Sequence, residues 1–192
     1  MKVEMSKTFS IRAPIRDVWD FMTDVEKVST CIPGAQYEDD LGDNQHSVML
    51  VIKVGPIRSS YRSTVSIRSM DDESYTIEIE GQGTDTKGKG GATMEMIGKL
   101  TENDDGATEI YGDSTVTIQG MLAQFGSRMV EDVSNQLFFQ FTRSLAAKLE
   151  DNGNMGDETE SPNEALSGVA VASAVLKGVS GRLMDKFKKK QD

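Results

Sequence analysis

The chain opens on alternation. In KVEMSKTFSI (2–11), Val3, Met5, Phe9 and Ile11 fall on one side of an extended backbone with Lys7 as a polar intrusion, and polar residues fill the other side. A period of two marks a half-buried strand. Pro14 follows, and its fixed φ suits the first turn of a helix. IRDVWDFMTDVEKV (15–28) then gathers Val18, Trp19, Phe21 and Met22, with Val25 and Val28 beyond. This spacing predicts one or two short helices that end before Cys31-Ile32-Pro33-Gly34, where Pro and Gly punctuate the chain.

Six further strands are predicted. AQYEDDL (35–41) is short, and HSVMLVIKV (46–54) is apolar on both faces. SYRSTVSIR (60–68) sets Tyr61, Val65 and Ile67 against Arg62, Thr64 and Arg68. SYTIEIE (74–80) sets Tyr75, Ile77 and Ile79 against Thr76, Glu78 and Glu80. GATMEMIGKL (91–100) alternates Met94 and Met96 with Glu95, and EIYGDSTVTI (109–118) completes seven strands. GDN (42–44), VGPI (54–57), MDDES (70–74) and NDDG (103–106) are turn signals, and connections this short imply antiparallel neighbours. One apolar and one charged face means a sheet covered on one side only.

The period then changes. In MLAQFGSRMVEDVSNQLFFQFTRSLAAKL (121–149), Leu122, Phe125, Met129, Val133, Leu137, Phe141, Leu145 and Leu149 form a helical stripe. Twenty-nine residues at about 1.5 Å each span about 43 Å, enough to cross a curved sheet. The predicted architecture is α+β: a bent seven-stranded antiparallel sheet gripping one long helix. EDNGNMGDETESPNE (150–164) is acidic with almost no apolar content and reads as a flexible linker, with the boundary placed at residue 163. From 164 to 192 a helical period resumes through Leu176, Val179, Leu183 and Phe187.

Composition narrows the function. The 192 residues carry 21 basic and 31 acidic side chains, a net charge of −10, which argues against nucleic acid because phosphate backbones need clustered cations. The charge is uneven: −8 over 1–149, −5 over 150–163 and +3 over 164–192. A single cysteine forms no internal disulfide, which fits a reducing compartment. MKVEMSKTFSIRAP holds no apolar core of signal-peptide length, and no stretch approaches the roughly 20 apolar residues that span a bilayer. The expectation is a cytoplasmic protein.

The tail accounts for the cationic end. Its apolar stripe is accompanied by Lys177, Arg182, Lys186, Lys188, Lys189 and Lys190. Gly168, Gly178 and Gly181 each cost about 1 kcal/mol in a helix relative to Ala. At an anionic membrane each cation gains about 1 kcal/mol, and the apolar face is buried in the interface. Leu176, Val179, Leu183, Phe187, Lys186, Lys188, Lys189 and Lys190 are therefore the predicted membrane contacts. A helix docked on a protein partner, or a disordered tail, is the alternative.

Candidate chemistry is sparse. GTDTKGKG (83–90) nearly spells a phosphate-binding loop, but Gly90 stands where Ser or Thr would hold Mg²⁺, and a strand follows instead of a helix. A glycine-rich connection between strands, acting as a bendable lip over a cavity, fits better. Cys31 has no cation in its turn to stabilise a thiolate, so packing is favoured over reactivity. With one Cys and one His (His46), a zinc site would need carboxylates to complete it. His46 is expected at the surface, and Asp39-Asp40 and Asp71-Asp72 in solvated turns. No nucleophile–base pair is evident. Tyr61, Tyr75 and Tyr111 are the weak candidates for an enzyme acting on an apolar substrate. Eleven methionines, several on inward faces, suit either a soft core or a deformable pocket.

TCIPGAQ, IKVGPI, GQGTDTKGKGGATM and above all MLAQFGSRMVEDV resemble the CoxG family of carbon monoxide dehydrogenase subunits, within the START-like, helix-grip (SRPBCC) superfamily. The likeness covers about residues 1–149. It implies the helix-grip fold and a non-catalytic module that binds a hydrophobic ligand and recruits a molybdenum hydroxylase of the CO dehydrogenase type to the inner face of the cell membrane. A quinone is the ligand the resemblance suggests, and no covalent cofactor or metal is implied. The residues expected around the ligand are Cys31, Ile32, Tyr61, Val65, Ile79, Met94, Met96, Leu122, Phe125, Met129 and Val133. A ligand-free adaptor or maturation factor for the dehydrogenase is the alternative function.

Overall fold

The computed structural model of the chain describes residues 1–54 and 57–150. The predicted linker and tail, with every predicted membrane contact, lie outside the described residues, as does the middle of the predicted turn at 54–57.

Seven strands form one antiparallel sheet: β1 (Lys2–Ile11), β2 (Ala35–Gly42), β3 (Gln45–Val54), β4 (Ile57–Asp71), β5 (Thr76–Asp85), β6 (Gly90–Glu102) and β7 (Thr108–Gly120), in the order β1-β7-β6-β5-β4-β3-β2. Two short helices, α1 (Ile15–Met22) and α2 (Val25–Ser29), separate β1 from β2, and α3 (Gly126–Glu150) follows the sheet. Alternation in β1 is strict: Val3 and Ile11 are buried, Met5, Lys7 and Phe9 half-buried, and the residues between them exposed. Lys7 is accommodated because its Nζ donates to Asn135 Oδ1 (2.6 Å) and lies 5.6 Å from the centroid of the Phe138 ring. Phe9 meets Phe138 and Phe141 edge-on at 5.4 and 6.1 Å. These contacts tie the first strand to α3.

Three predictions are corrected. The helix predicted over 121–149 is broken: Met121–Phe125 is a 3-10 helix, and Gly126, at φ +78°, turns the chain as α3 begins. Only glycine adopts that conformation without strain, and an apolar periodicity does not register it. The glycine-rich stretch after Ile79 is strand, not loop, as far as Asp85, so β5 runs well past its predicted end. Asp39 and Asp40 stand in β2, opposite Ser47 and His46, and not in a turn. Asp71, by contrast, does cap a turn, accepting from the Glu73 and Ser74 N–H groups and the Ser74 hydroxyl. Those donors hold its carboxyl below the usual carboxylate range.

The interior has two clusters. At the α1/α2 end, Ile11, Val18, Trp19, Cys31, Ile77, Leu100, Ile110, Leu145 and Leu149 pack into a solid core. Trp19, almost wholly buried, donates Nε1–H to Asp72 Oδ1 (2.6 Å) and meets the Tyr75 ring edge-on at 5.5 Å. At the opposite end, Tyr61, Ile118 and Leu122 form a smaller cluster. Between them the sheet and helix part company. The last turns of α3 bury Leu145 and Leu149, whereas Met129, near its start, remains 39% exposed.

Candidate functional site

The separation of α3 from the sheet leaves a cavity of about 420 Å³, open to solvent. Its floor is the concave face of the sheet, where β3 contributes Val48, Leu50 and Ile52, and β7 contributes Val116 and Ile118. Its roof is the 3-10 helix and the first half of α3. Volumes of about 300–1,000 Å³ are typical of pockets that bury a small ligand.

The hollow exists because strands β5 and β6 carry small residues there. The inward parity that puts Ile77 and Ile79 in the core continues to Gly81 and Gly83, and Gly83 pairs with Ala92. A Cβ at Gly81 would meet only Met94, at 3.5–3.7 Å. The positions that sheet and helix would need to fill are therefore empty of side chain.

Of the residues predicted around a ligand, Ile32, Tyr61, Val65, Met94, Leu122, Phe125, Met129 and Val133 line this cavity. Three predicted residues do not, and each is corrected. Cys31 is 1% exposed inside the solid core, and burial pushes its thiol pKa up against the opposing pull of Lys148. Ile79 packs on that same core. Met96 is absent from the cavity lining because it lies a further step along β6 toward the solid end, paired with Ile79 and Ser114. Alternation gives the correct face for both, but not how far along the sheet α3 stands away.

The TCIPGA turn is held rigidly. Gly34, at φ +80°, accepts from the Val51 N–H (2.8 Å), and a Cβ there would lie 2.3 Å from the Val51 carbonyl oxygen. Lys148 Nζ donates to Thr30 Oγ1 (2.6 Å), fastening the end of α3 to the same turn. Cys31 thereby points into the core while Ile32 reaches the cavity.

The predicted lip, 83–90, is strand as far as Asp85 and a hairpin turn over 86–89, and not a phosphate loop. Asp85, buried at 6% exposure, accepts from the N–H groups of Lys87 (2.8 Å) and Lys89 (3.4 Å). The Lys89 carbonyl accepts from Met121 N–H (3.1 Å), which joins the lip to the start of the 3-10 helix. Gly120, at φ +82°, makes this approach feasible, since a Cβ there would fall 2.0 Å from Lys89 O.

Among the described residues, Tyr61 is the one titratable side chain lining the cavity. Burial, and secondarily the Asp85 carboxylate beside it, raise its hydroxyl pKa, so it remains neutral at physiological pH. Tyr75 belongs to the solid end, and Tyr111 is exposed on the outer face. His46 is half-buried, not surface-exposed as predicted. The parity of β3 places it on the concave side opposite Val65, with the Tyr37 hydroxyl 3.3 Å from its Nδ1. It is not among the cavity-lining residues.

A curved antiparallel sheet closed by a C-terminal helix over an apolar hollow defines the START-like, helix-grip class. Solved structures of that shape match the chain. A conserved protein from Geobacillus kaustophilus superposes with a TM-score of 0.68 at 20% identity, covering 78% of this chain and 97% of that one. An aromatase/cyclase from a Streptomyces species gives 0.59 at 14% identity, covering 83% and 100%. A START superfamily protein from Mycobacterium smegmatis gives 0.53 at 13% identity, covering 78% and 98%. At such identities the likeness is one of fold. No curated protein matches the chain. The family model for CoxG, a carbon monoxide dehydrogenase subunit, matches residues 8–150, and the chain belongs to that family.

Proposed function

We propose that the chain is a non-catalytic carrier: it shelters an apolar molecule in the cavity and serves a CO dehydrogenase-type molybdenum hydroxylase at the membrane. The observation that carries this reading is the hollow itself, about 420 Å³ lined almost throughout by aliphatic, thioether and aromatic side chains. A protein with no guest would gain stability by filling such a space, because apolar wall left facing water costs about 25 cal/mol per Å². Family membership supports an accessory role beside the dehydrogenase. A quinone suits the site as a flat, uncharged, largely apolar molecule that would link the enzyme to respiration.

The tail completes the reading. Among the described residues no helix is long and apolar enough to cross a membrane. The net charge of +3 over 164–192, beside Leu176, Val179, Leu183 and Phe187, supports contact with an anionic bilayer.

Organic extraction of the full chain purified from several hosts, followed by mass spectrometry, tests the carrier. The expected result is an apolar molecule near one equivalent per chain; empty extracts from every host would leave the adaptor reading instead. For the tether, anionic liposomes should sediment the full chain but not a version ending at Glu150. Equal recovery of the two would defeat it.

A further inference from the structure

Ser63 stands on the cavity wall in the middle of β4, between Tyr61 and Val65. Among the described residues nothing hydrogen-bonds to its hydroxyl. The residue is half-buried, and among the described residues no fully buried side-chain oxygen lacks a partner, so this hydroxyl is reached from the cavity and is open to a guest. The sheet also keeps the space before this hydroxyl clear. Ser63 pairs with Gly83, and a Cβ on Gly83 would stand 2.8 Å from Ser63 Oγ. Any side chain at position 83 would push the hydroxyl aside.

The other cavity serines sharpen the point. Ser114 already donates to the Met5 carbonyl oxygen (3.3 Å). Ser134, on the α3 wall, lines the cavity without a hydrogen bond among the described residues. One serine hydroxyl is thus satisfied by the protein, and two are left facing the hollow. Charge gives a second, independent observation: among the described residues, none of the lining side chains is charged. Burying an ion without a counter-charge is strongly unfavourable, so a carboxylate or phosphate end finds no place here.

We propose that the cavity selects an uncharged molecule whose polar end is a carbonyl or hydroxyl, and that Ser63, kept accessible by Gly83, is the group that receives it. This rests on the carrier reading and adds the residue that meets the guest's polar end and, with it, the guest's orientation. An aliphatic tail would then run along Val65, Met94 and Met129, with the polar end on the β4–β5 floor.

The test uses three probes of equal chain length: tridecane, 2-tridecanone and tridecanoate. Each competes with Nile red, an uncharged fluorescent dye, for the full chain. The ketone should displace the dye at concentrations several-fold below those needed by the alkane, and tridecanoate should be the weakest. Ser63→Ala should remove the advantage of the ketone, a change of about fivefold for one neutral hydrogen bond, and leave the alkane unaffected. Gly83→Ala, which displaces the hydroxyl without deleting it, should act like Ser63→Ala. Equal displacement by ketone and alkane in the unaltered chain would overturn the proposal. So would an advantage that survives Ser63→Ala, or tridecanoate binding as well as the ketone. Failure of the dye and every probe to bind would instead refute the carrier reading, and this inference with it.

Discussion

Gly81→Leu separates a protein built around a hollow from one built around a core. Gly81 lies at the centre of the sheet floor, and a Cβ there meets only Met94 at ordinary contact distance. The side chain therefore has one direction to grow, into the cavity. Leucine adds four heavy atoms at roughly 30 Å³ each, or about 120 Å³. Of the 420 Å³ present, about 300 Å³ would remain, at the lower limit of ligand pockets. Refilling at about 24 cal/mol per Å³ gives a ceiling near 3 kcal/mol for the ligand-free protein. Replacing glycine within a strand adds about 0.5–1 kcal/mol more. Imperfect fit takes some of this back, so a net gain of about 1–3 kcal/mol is expected. For a domain of about 150 residues that raises Tm by roughly 3–10 °C. Nile red titration and thermal denaturation of the delipidated full chain measure both quantities. The expected outcome is lost uptake together with a higher Tm. Unchanged dye capacity with an unchanged Tm would refute the reasoning, because it would mean that Gly81 does not face an empty space.

Other outcomes follow from the solid end and the mouth. Trp19→Phe removes the hydrogen bond to Asp72 (2.6 Å), and urea denaturation should show about 1–3 kcal/mol less stability with dye uptake unaltered. Cys31 should react with a thiol reagent only as fast as the domain unfolds, since its neutral form is the buried one. Its pKa is raised above 9.0 by burial. The folded state therefore favours the protonated thiol. That contribution is complete below pH 9 and is lost as pH rises through the folded pKa. The stability difference between the unaltered chain and Cys31→Ala should accordingly shrink above pH 9 in paired denaturation curves. Gly120→Ala sets a methyl 2.0 Å from Lys89 O at φ +82°. It should destabilise by about 1–3 kcal/mol, with faster proteolysis at residues 86–89.

Strand parity and helical stripe are legible in the sequence because both are written in the choice of apolar residues. The face of the sheet that looks inward follows from Val3, Ile77, Met94 and their neighbours, and eight predicted cavity residues lie where that face meets the hollow. Depth along the sheet is written nowhere in the same code. Ile79 and Met96 share that inward side yet fall outside the lining, because the distance between α3 and the floor depends on the curvature of all seven strands together, and Cys31, in the turn after α2, points into the solid core. Gly81 and Gly83 are missed for the opposite reason. Glycine reads as a breaker, and GQG therefore reads as loop. Extending the two-residue parity of Ile77 and Ile79 by two more steps finds both. The break at Gly126 is hidden because Phe125 and Met129 keep the helical spacing across it.

The division of the interior into a solid end and a hollow end has an evolutionary consequence. The larger buried cluster packs around Trp19, Ile77, Ile110 and Leu145, whereas the shape of the hollow is set by residues outside that cluster. The shape of the cavity can therefore change, one wall residue at a time, without first requiring compensating changes in the solid end.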